Sequence, residues 1–194
     1  MRTGICDRTT KETKISCSID LDGKGRAEIE TGIGFFDHML DLLAFHSQMD
    51  IRLHAAGDLE VCDHHTIEDC GIALGTAFKE ALGNKKGIER YGSFRLVMDE
   101  ALADVILDIS GRPYLVFDAT FRRDTIGNYS TEMTREFFYA FAAASGLSLH
   151  IHVPYGENDH HKIEAIFKAF ARALKQAFAI TSDILPSSKG RIEG

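Results

Sequence analysis

Apolar and polar positions alternate over residues 13–30: Ile15, Cys17, Ile19 and Leu21 share one face, Asp22-Gly23 makes a turn, and a second short run follows through Ile29. A period of two broken by a glycine turn predicts a β-hairpin there. From Phe35 to His46 the apolar positions adopt a helical period, 49–53 reads as extended, and 66–82 reads as a helix that stops near Gly83. The first half is therefore β-β-α-β-α. The second half repeats the order, with extended runs at 94–109 and 114–121, a helix at about 131–144, a strand at 147–153 and a helix from 160 to about 179.

Individual residues repeat as well as elements, at a constant offset of 96: Leu53-His54 matches Leu149-His150, and Ala73, Ala77, Lys79 and Ala81 match Ala169, Ala173, Lys175 and Ala177. Such a period marks an internal duplication. Helices that follow strands in each half lie on one side of an antiparallel or mixed sheet, which predicts an α+β fold. No linker separates the halves, about 1–90 and 91–194, so a single compact domain over 1–194 is expected.

The most specific repeat is chemical. Asp63-His64-His65-Thr66-Ile67-Glu68 returns as Asp159-His160-His161-Lys162-Ile163-Glu164. On the first turn of a helix, residues three and four apart share a face, so each cassette offers imidazoles and a carboxylate together. That donor set suits a borderline divalent ion such as Mn, Fe, Co, Ni or Zn. His38 precedes the first cassette and Glu136 the second, at similar spacing. Two metal centres with four protein ligands each are expected from His38, His64, His65, Glu68, Glu136, His160, His161 and Glu164. Cassettes related by a pseudo-twofold axis can point in opposite directions, so a centre that mixes the halves and uses a neighbouring subunit is anticipated. His46, His54, His150 and His152 read as structural, and Cys62 and Cys70 merely flank the first cassette.

Composition narrows the setting. The chain has 194 residues, 44% hydrophobic and 26% charged, with a net charge of −7 and no basic tail. Nucleic acid is not an expected partner. The N-terminus has no apolar run and no stretch approaches the length of a membrane span, so a cytoplasmic protein without membrane contact is expected. Four cysteines without a C-x-x-C pair read as reduced thiols.

Seven motifs resemble one family. Gly-Ile-Gly-Phe-Phe-Asp-His-Met-Leu-Asp at 32–41, Asp-His-His-Thr-Ile-Glu-Asp at 63–69, Met-Asp-Glu-Ala-Leu-Ala at 98–103, Ser-Gly-Arg-Pro-Tyr-Leu at 110–115, Asn-Asp-His-His-Lys-Ile-Glu at 158–164, Phe-Lys-Ala-Phe-Ala-Arg-Ala-Leu at 167–174 and Pro-Ser-Ser-Lys-Gly at 186–190 look like imidazoleglycerol-phosphate dehydratase in its monofunctional form. The resemblance spans almost the whole chain. It implies a lyase of histidine biosynthesis that dehydrates imidazole glycerol phosphate to imidazole acetol phosphate through a metal-stabilised imidazolate. It also implies two Mn2+ sites and a 24-subunit shell built from trimers.

The same resemblance implies that Glu12 contacts substrate, where it would transfer a proton or bind a hydroxyl; Glu68 and Glu164 are alternative proton acceptors, because a metal-bound carboxylate can shift and take a proton. It places Arg90, Arg112, Lys168, Ser187 and Lys189 on the substrate phosphate, for which guanidinium forks are suited. Two positions depart from the pattern: Leu42 stands where the family often has Gln, so that polar contact is either missing or supplied by a neighbour such as Gln48, and Glu136 stands where many members have His. From the residues alone, the rivals are a dinuclear metallohydrolase and a non-catalytic metal-organised assembly protein.

Overall fold

The computed structural model describes residues 1–192. In the first half, β1 (Thr3–Thr9), β2 (Thr13–Asp20), β3 (Ala27–Glu30) and β4 (Asp50–Gly57) form a sheet in the order β1-β2-β4-β3, accompanied by α1 (Gly34–Ser47) and α2 (His64–Leu82). The second half holds β5 (Tyr91–Met98), β6 (Ala101–Asp108), β7 (Tyr114–Asp118), a small hairpin of β8 (Thr125–Ile126) and β9 (Tyr129–Ser130), α3 (Met133–Ser145), β10 (Ser148–Tyr155) and α4 (Asp159–Phe178). Its main sheet runs β5-β6-β10-β7. In each sheet one edge strand, β3 or β7, lies parallel to its neighbour while the other pairs are antiparallel. The duplicated α+β class expected from the sequence is the observed one.

Each main sheet carries one strand more than the apolar pattern suggested, and the second half adds the β8–β9 hairpin. β1 went unread because its inward positions are Gly4, Cys6 and Arg8. The glycine is needed there, since a Cβ at Gly4 would lie 2.0 Å from the Ala77 carbonyl oxygen of α2. The single run at 94–109 is two strands, turned at Asp99 (φ 48°) and Glu100. The expected hairpin over 13–30 is also corrected: β2 pairs with β1 and β4, and β3 pairs only with β4. The turn around Asp22-Gly23 is instead a crossover. Asp50, at the start of β4, accepts the Lys24 and Arg26 amides through Oδ1 at 2.7 and 2.9 Å and so carries the chain past β4 to its far side.

Alternation along the strands directs the core. Ile15, Cys17 and Ile19 on β2 and Ile51 and Leu53 on β4 are buried beneath the helices, and the intervening positions face the open side of the sheet. A buried apolar cluster runs through both halves. At its centre Phe137, Phe138, Phe141, Phe167 and Phe170 meet ring to ring, and full burial of each contributes about 1.5–3 kcal/mol.

The helices cross between halves. α2 covers β1 and β2, and α4 covers β5 and β6, but α1 packs on α4 and α3 packs on α2. The α2–α3 contact is close because Gly71 and Gly75 lack side chains; a Cβ at Gly75 would sit 2.6 Å from the Phe141 carbonyl oxygen. The repeat partners of these glycines on α4 are Phe167 and Ala171. This crossing decides which ligands meet.

Candidate metal centre

His38 lies in the second turn of α1, and His160 and Glu164 lie four residues apart on α4, so the α1–α4 contact assembles them from opposite halves. His160 Nε2 is 3.1 Å and His38 Nε2 is 3.9 Å from Glu164 Oε2. One ligand atom from each of the three falls within 4.8 Å of the other two. The Phe35 ring stands edge-on to His160 at 5.0 Å, and Phe35 also packs on the fully buried Tyr129. Glu164 is 7% exposed, and burial pushes its pKa upward. Lys168 and His160 outweigh that and leave the carboxyl below its ordinary value, with Lys168 Nζ 2.5 Å from Oε1. Two imidazoles and an ionised carboxylate on a rigid helix pair are a suitable donor set for a divalent ion.

In the first cassette the carboxylate is more open. His64 Nε2 is 3.8 Å from Glu68 Oε2, and both side chains are over 40% exposed. Glu136, in the first turn of α3, accepts a hydrogen bond from Arg135 Nη1 at 2.7 Å. Among the described residues only His38, His160 and Glu164 close into a group of three, so His64, Glu68 and Glu136 are not brought together as tightly within one chain.

The second histidine of each cassette turns to a different carboxylate. His65 Nδ1 lies 3.0 Å from Asp58 Oδ2, and hydrogen bonding to Asp58 raises the His65 pKa. His161 Nδ1 lies 2.7 Å from Glu100 Oε2, and its Nε2 is 3.8 Å from Asp99 Oδ2. Hydrogen bonding from His161 and from the Asn158 amide lowers the Glu100 carboxyl to about 2. Asp58, Asp99 and Glu100 escaped the sequence reading because only the fold brings them to the histidines.

The cassette aspartates fix the connection between β7 and α3. Asp63 accepts the Ser130 amide at 2.6 Å and its hydroxyl at 2.9 Å. Asp159 accepts the Arg122 and Arg123 amides, each at 2.7 Å, and pairs with Lys162. One segment is thereby tied to both metal-ligand helices.

Arg90, Arg112, Ser187 and Lys189 share one cavity of about 430 Å³ with Ser110, Ser188, Arg191 and Ile192. Arg90 is held by Asp108 (Nε to Oδ1, 2.7 Å) and in turn donates to the Pro186 carbonyl at 2.8 Å, which anchors the C-terminal segment over the cavity. Arg191 is a further cation that the sequence reading did not single out. Lys168 lies apart from these residues, at Glu164. Glu12, in the β1–β2 turn, is exposed, and among the described residues its carboxylate has no hydrogen-bond or ion-pair partner. Leu42 packs against the core. Gln48 does not replace it: it caps the far end of α1, where its amide oxygen takes Lys175 Nζ, about 15 Å along the helix from His38.

Fold and site together define a duplicated α+β enzyme with a histidine–carboxylate group and a separate cavity lined by cationic side chains. The family model for imidazoleglycerol-phosphate dehydratase matches residues 31–174. The protein of that name from Rhodopseudomonas palustris is 56% identical with all of both chains covered. That from Clostridioides difficile is 55% identical over 98% of this chain and 99% of its own. The crystal structure of the Staphylococcus aureus enzyme has a TM-score of 0.84 at 43% identity, covering 92% of this chain and 99% of its own. The chain belongs to the imidazoleglycerol-phosphate dehydratase family. It is a hydro-lyase of histidine biosynthesis. No helix among the described residues is long and apolar enough to cross a membrane.

Proposed function

We propose that the chain removes water from imidazole glycerol phosphate at two Mn2+ ions held by His38, His64, His65, Glu68, Glu136, His160, His161 and Glu164. The observation that carries this reading is the His38–His160–Glu164 group, in which two halves of the chain contribute to one donor set. Bound metal supplies Lewis acidity to a ring nitrogen of the substrate, so that the imidazole can carry the charge that expels the hydroxyl.

The protein residues do the rest. Arg90, Arg112, Ser187 and Lys189 grip the phosphate and fix the substrate's distance from the cassettes. Lys168 keeps Glu164 ionised and oriented. Glu12, whose carboxylate is uncommitted, takes the C2 proton; Glu68 and Glu164 are the alternatives. The exposed first cassette and Glu136 support completion of each centre by a neighbouring copy. A cytoplasmic 24-mer built from trimers satisfies that need, and chelation is expected to reduce it to a much smaller particle by light scattering.

The test is direct. Mn-loaded protein incubated with imidazole glycerol phosphate should yield the ketone, read by its absorbance in alkali. Release of inorganic phosphate, or no product with metal present, would overturn the proposal.

A further inference from the structure

The two halves place a glutamate at the same point of the same hairpin. A Cβ at Gly4 would meet the Ala77 carbonyl oxygen at 2.0 Å, and one at Gly92 would meet that of Ala173 at 2.0 Å. Ala77 and Ala173 are repeat partners, so Gly4 and Gly92 are equivalent. Nine residues beyond each glycine, β2 and β6 begin at Thr13 and Ala101. Glu12 and Glu100 stand immediately before them.

Their surroundings differ completely. Glu100 Oε1 accepts the Glu157 and Asn158 amides at 3.0 and 2.7 Å, and its Oε2 is 2.7 Å from His161 Nδ1. Asn158 in turn caps α4 through the His160 amide at 3.0 Å. Glu100 therefore holds both the His161 ring and the loop that starts the metal-ligand helix. In the first half the corresponding service comes from another residue: Asp58 lies 3.0 and 3.2 Å from His65 Nδ1 through its two oxygens. The Asp58 amide donates to the Glu12 carbonyl at 3.1 Å, so Asp58 also anchors the turn that carries Glu12.

We infer that Glu100 and Asp58 are positioning residues for His161 and His65, and that Asp58, by taking this role in the first half, releases Glu12 from it. An ionised carboxylate can only accept, so the proton of the neutral imidazole sits on Nδ1 and the Nε2 lone pair is free for a metal ion. The inference rests on the metal reading given above and deepens it. The two equivalent glutamates thus differ in service: Glu100 holds His161, and Glu12 is left to the substrate.

The experiment uses metal-free full-length chain labelled with 15N-histidine, with His65→Gln and His161→Gln to identify the signals. Both rings are expected in the Nδ1–H form. Glu100→Ala should alter the His161 signal and not that of His65, and Asp58→Ala the His65 signal and not that of His161, each weakening Mn2+ binding about 10–100-fold. Glu100→Gln, which keeps one acceptor oxygen where both are used, should recover only part of the loss. Glu12→Ala should leave both signals and Mn2+ affinity unchanged while turnover falls. Nε2–H tautomers in the parent, unchanged signals in both alanine variants, or equal loss of Mn2+ affinity in Glu12→Ala would overturn the assignment. Should Glu100→Ala fail to fold, Asp58→Ala decides it. A parent chain that binds no Mn2+ would contradict the metal reading instead, and the tautomers would still report the roles of Glu100 and Asp58.

Discussion

The two cassettes share five of six residues but sit in different surroundings. Glu164 is nearly buried, with Lys168 one turn further on; Glu68 is exposed, and the position one turn further on is Ile72. Lys162 reaches Asp159 and the Thr120 carbonyl, while its counterpart Thr66 is buried with its hydroxyl unpartnered among the described residues. His38 completes a group with the second cassette, and Glu136 on α3 pairs with Arg135. Identical ligands thus produce one buried carboxylate, Glu164, and one open one, Glu68, because neighbours rather than ligands set burial and charge.

Substitutions can break this contrast, and the largest effect is expected at the buried carboxylate. Glu164→Ala should lower turnover by more than ~100-fold, since losing a ligand must exceed the ~10–100-fold cost of losing a second-layer partner; steady-state kinetics with Mn2+ present would show it. Lys168→Met leaves Glu164 buried without its cation. The metal-free protein should lose about 3 kcal/mol, seen as a melting temperature lower by roughly 6–12 °C. The equivalent substitution Ile72→Met should change it little.

The helix contacts sharpen the comparison. Gly75→Ala pushes a methyl against the Phe141 backbone and should cost about 1–3 kcal/mol, measurable by urea unfolding. On α4 the position is already alanine, so Ala171→Gly should destabilise there by ~1 kcal/mol through helix propensity. The smallest effect is at Thr66, where Thr66→Val removes a buried unpaired hydroxyl and should stabilise by about 1 kcal/mol. A loss of stability would show that the hydroxyl has a partner in solution.

Much of this was legible in the chain. The offset of 96 exposed the duplication and the six cassette candidates, the apolar period gave the four helices, and His38 and Glu136 were added from their place 26 and 24 residues before the cassettes, because periodicity and donor chemistry are local signals. β1 was hidden because a helix backbone approaches Gly4, which removes the apolar side chain that would mark a buried strand position. The β3 pairing was hidden because strand partners depend on the crossover at Asp50. Asp58 and Glu100 lie outside the cassettes, and only the fold shows that they face His65 and His161. Lys168, placed with the phosphate by resemblance, is seen bound to Glu164.

Calorimetric titration of the metal-free chain with Mn2+ tests the central claim most directly. Two equivalents per chain with two distinct affinities are expected from non-equivalent cassettes. A single class of identical sites, or no binding, would contradict the account.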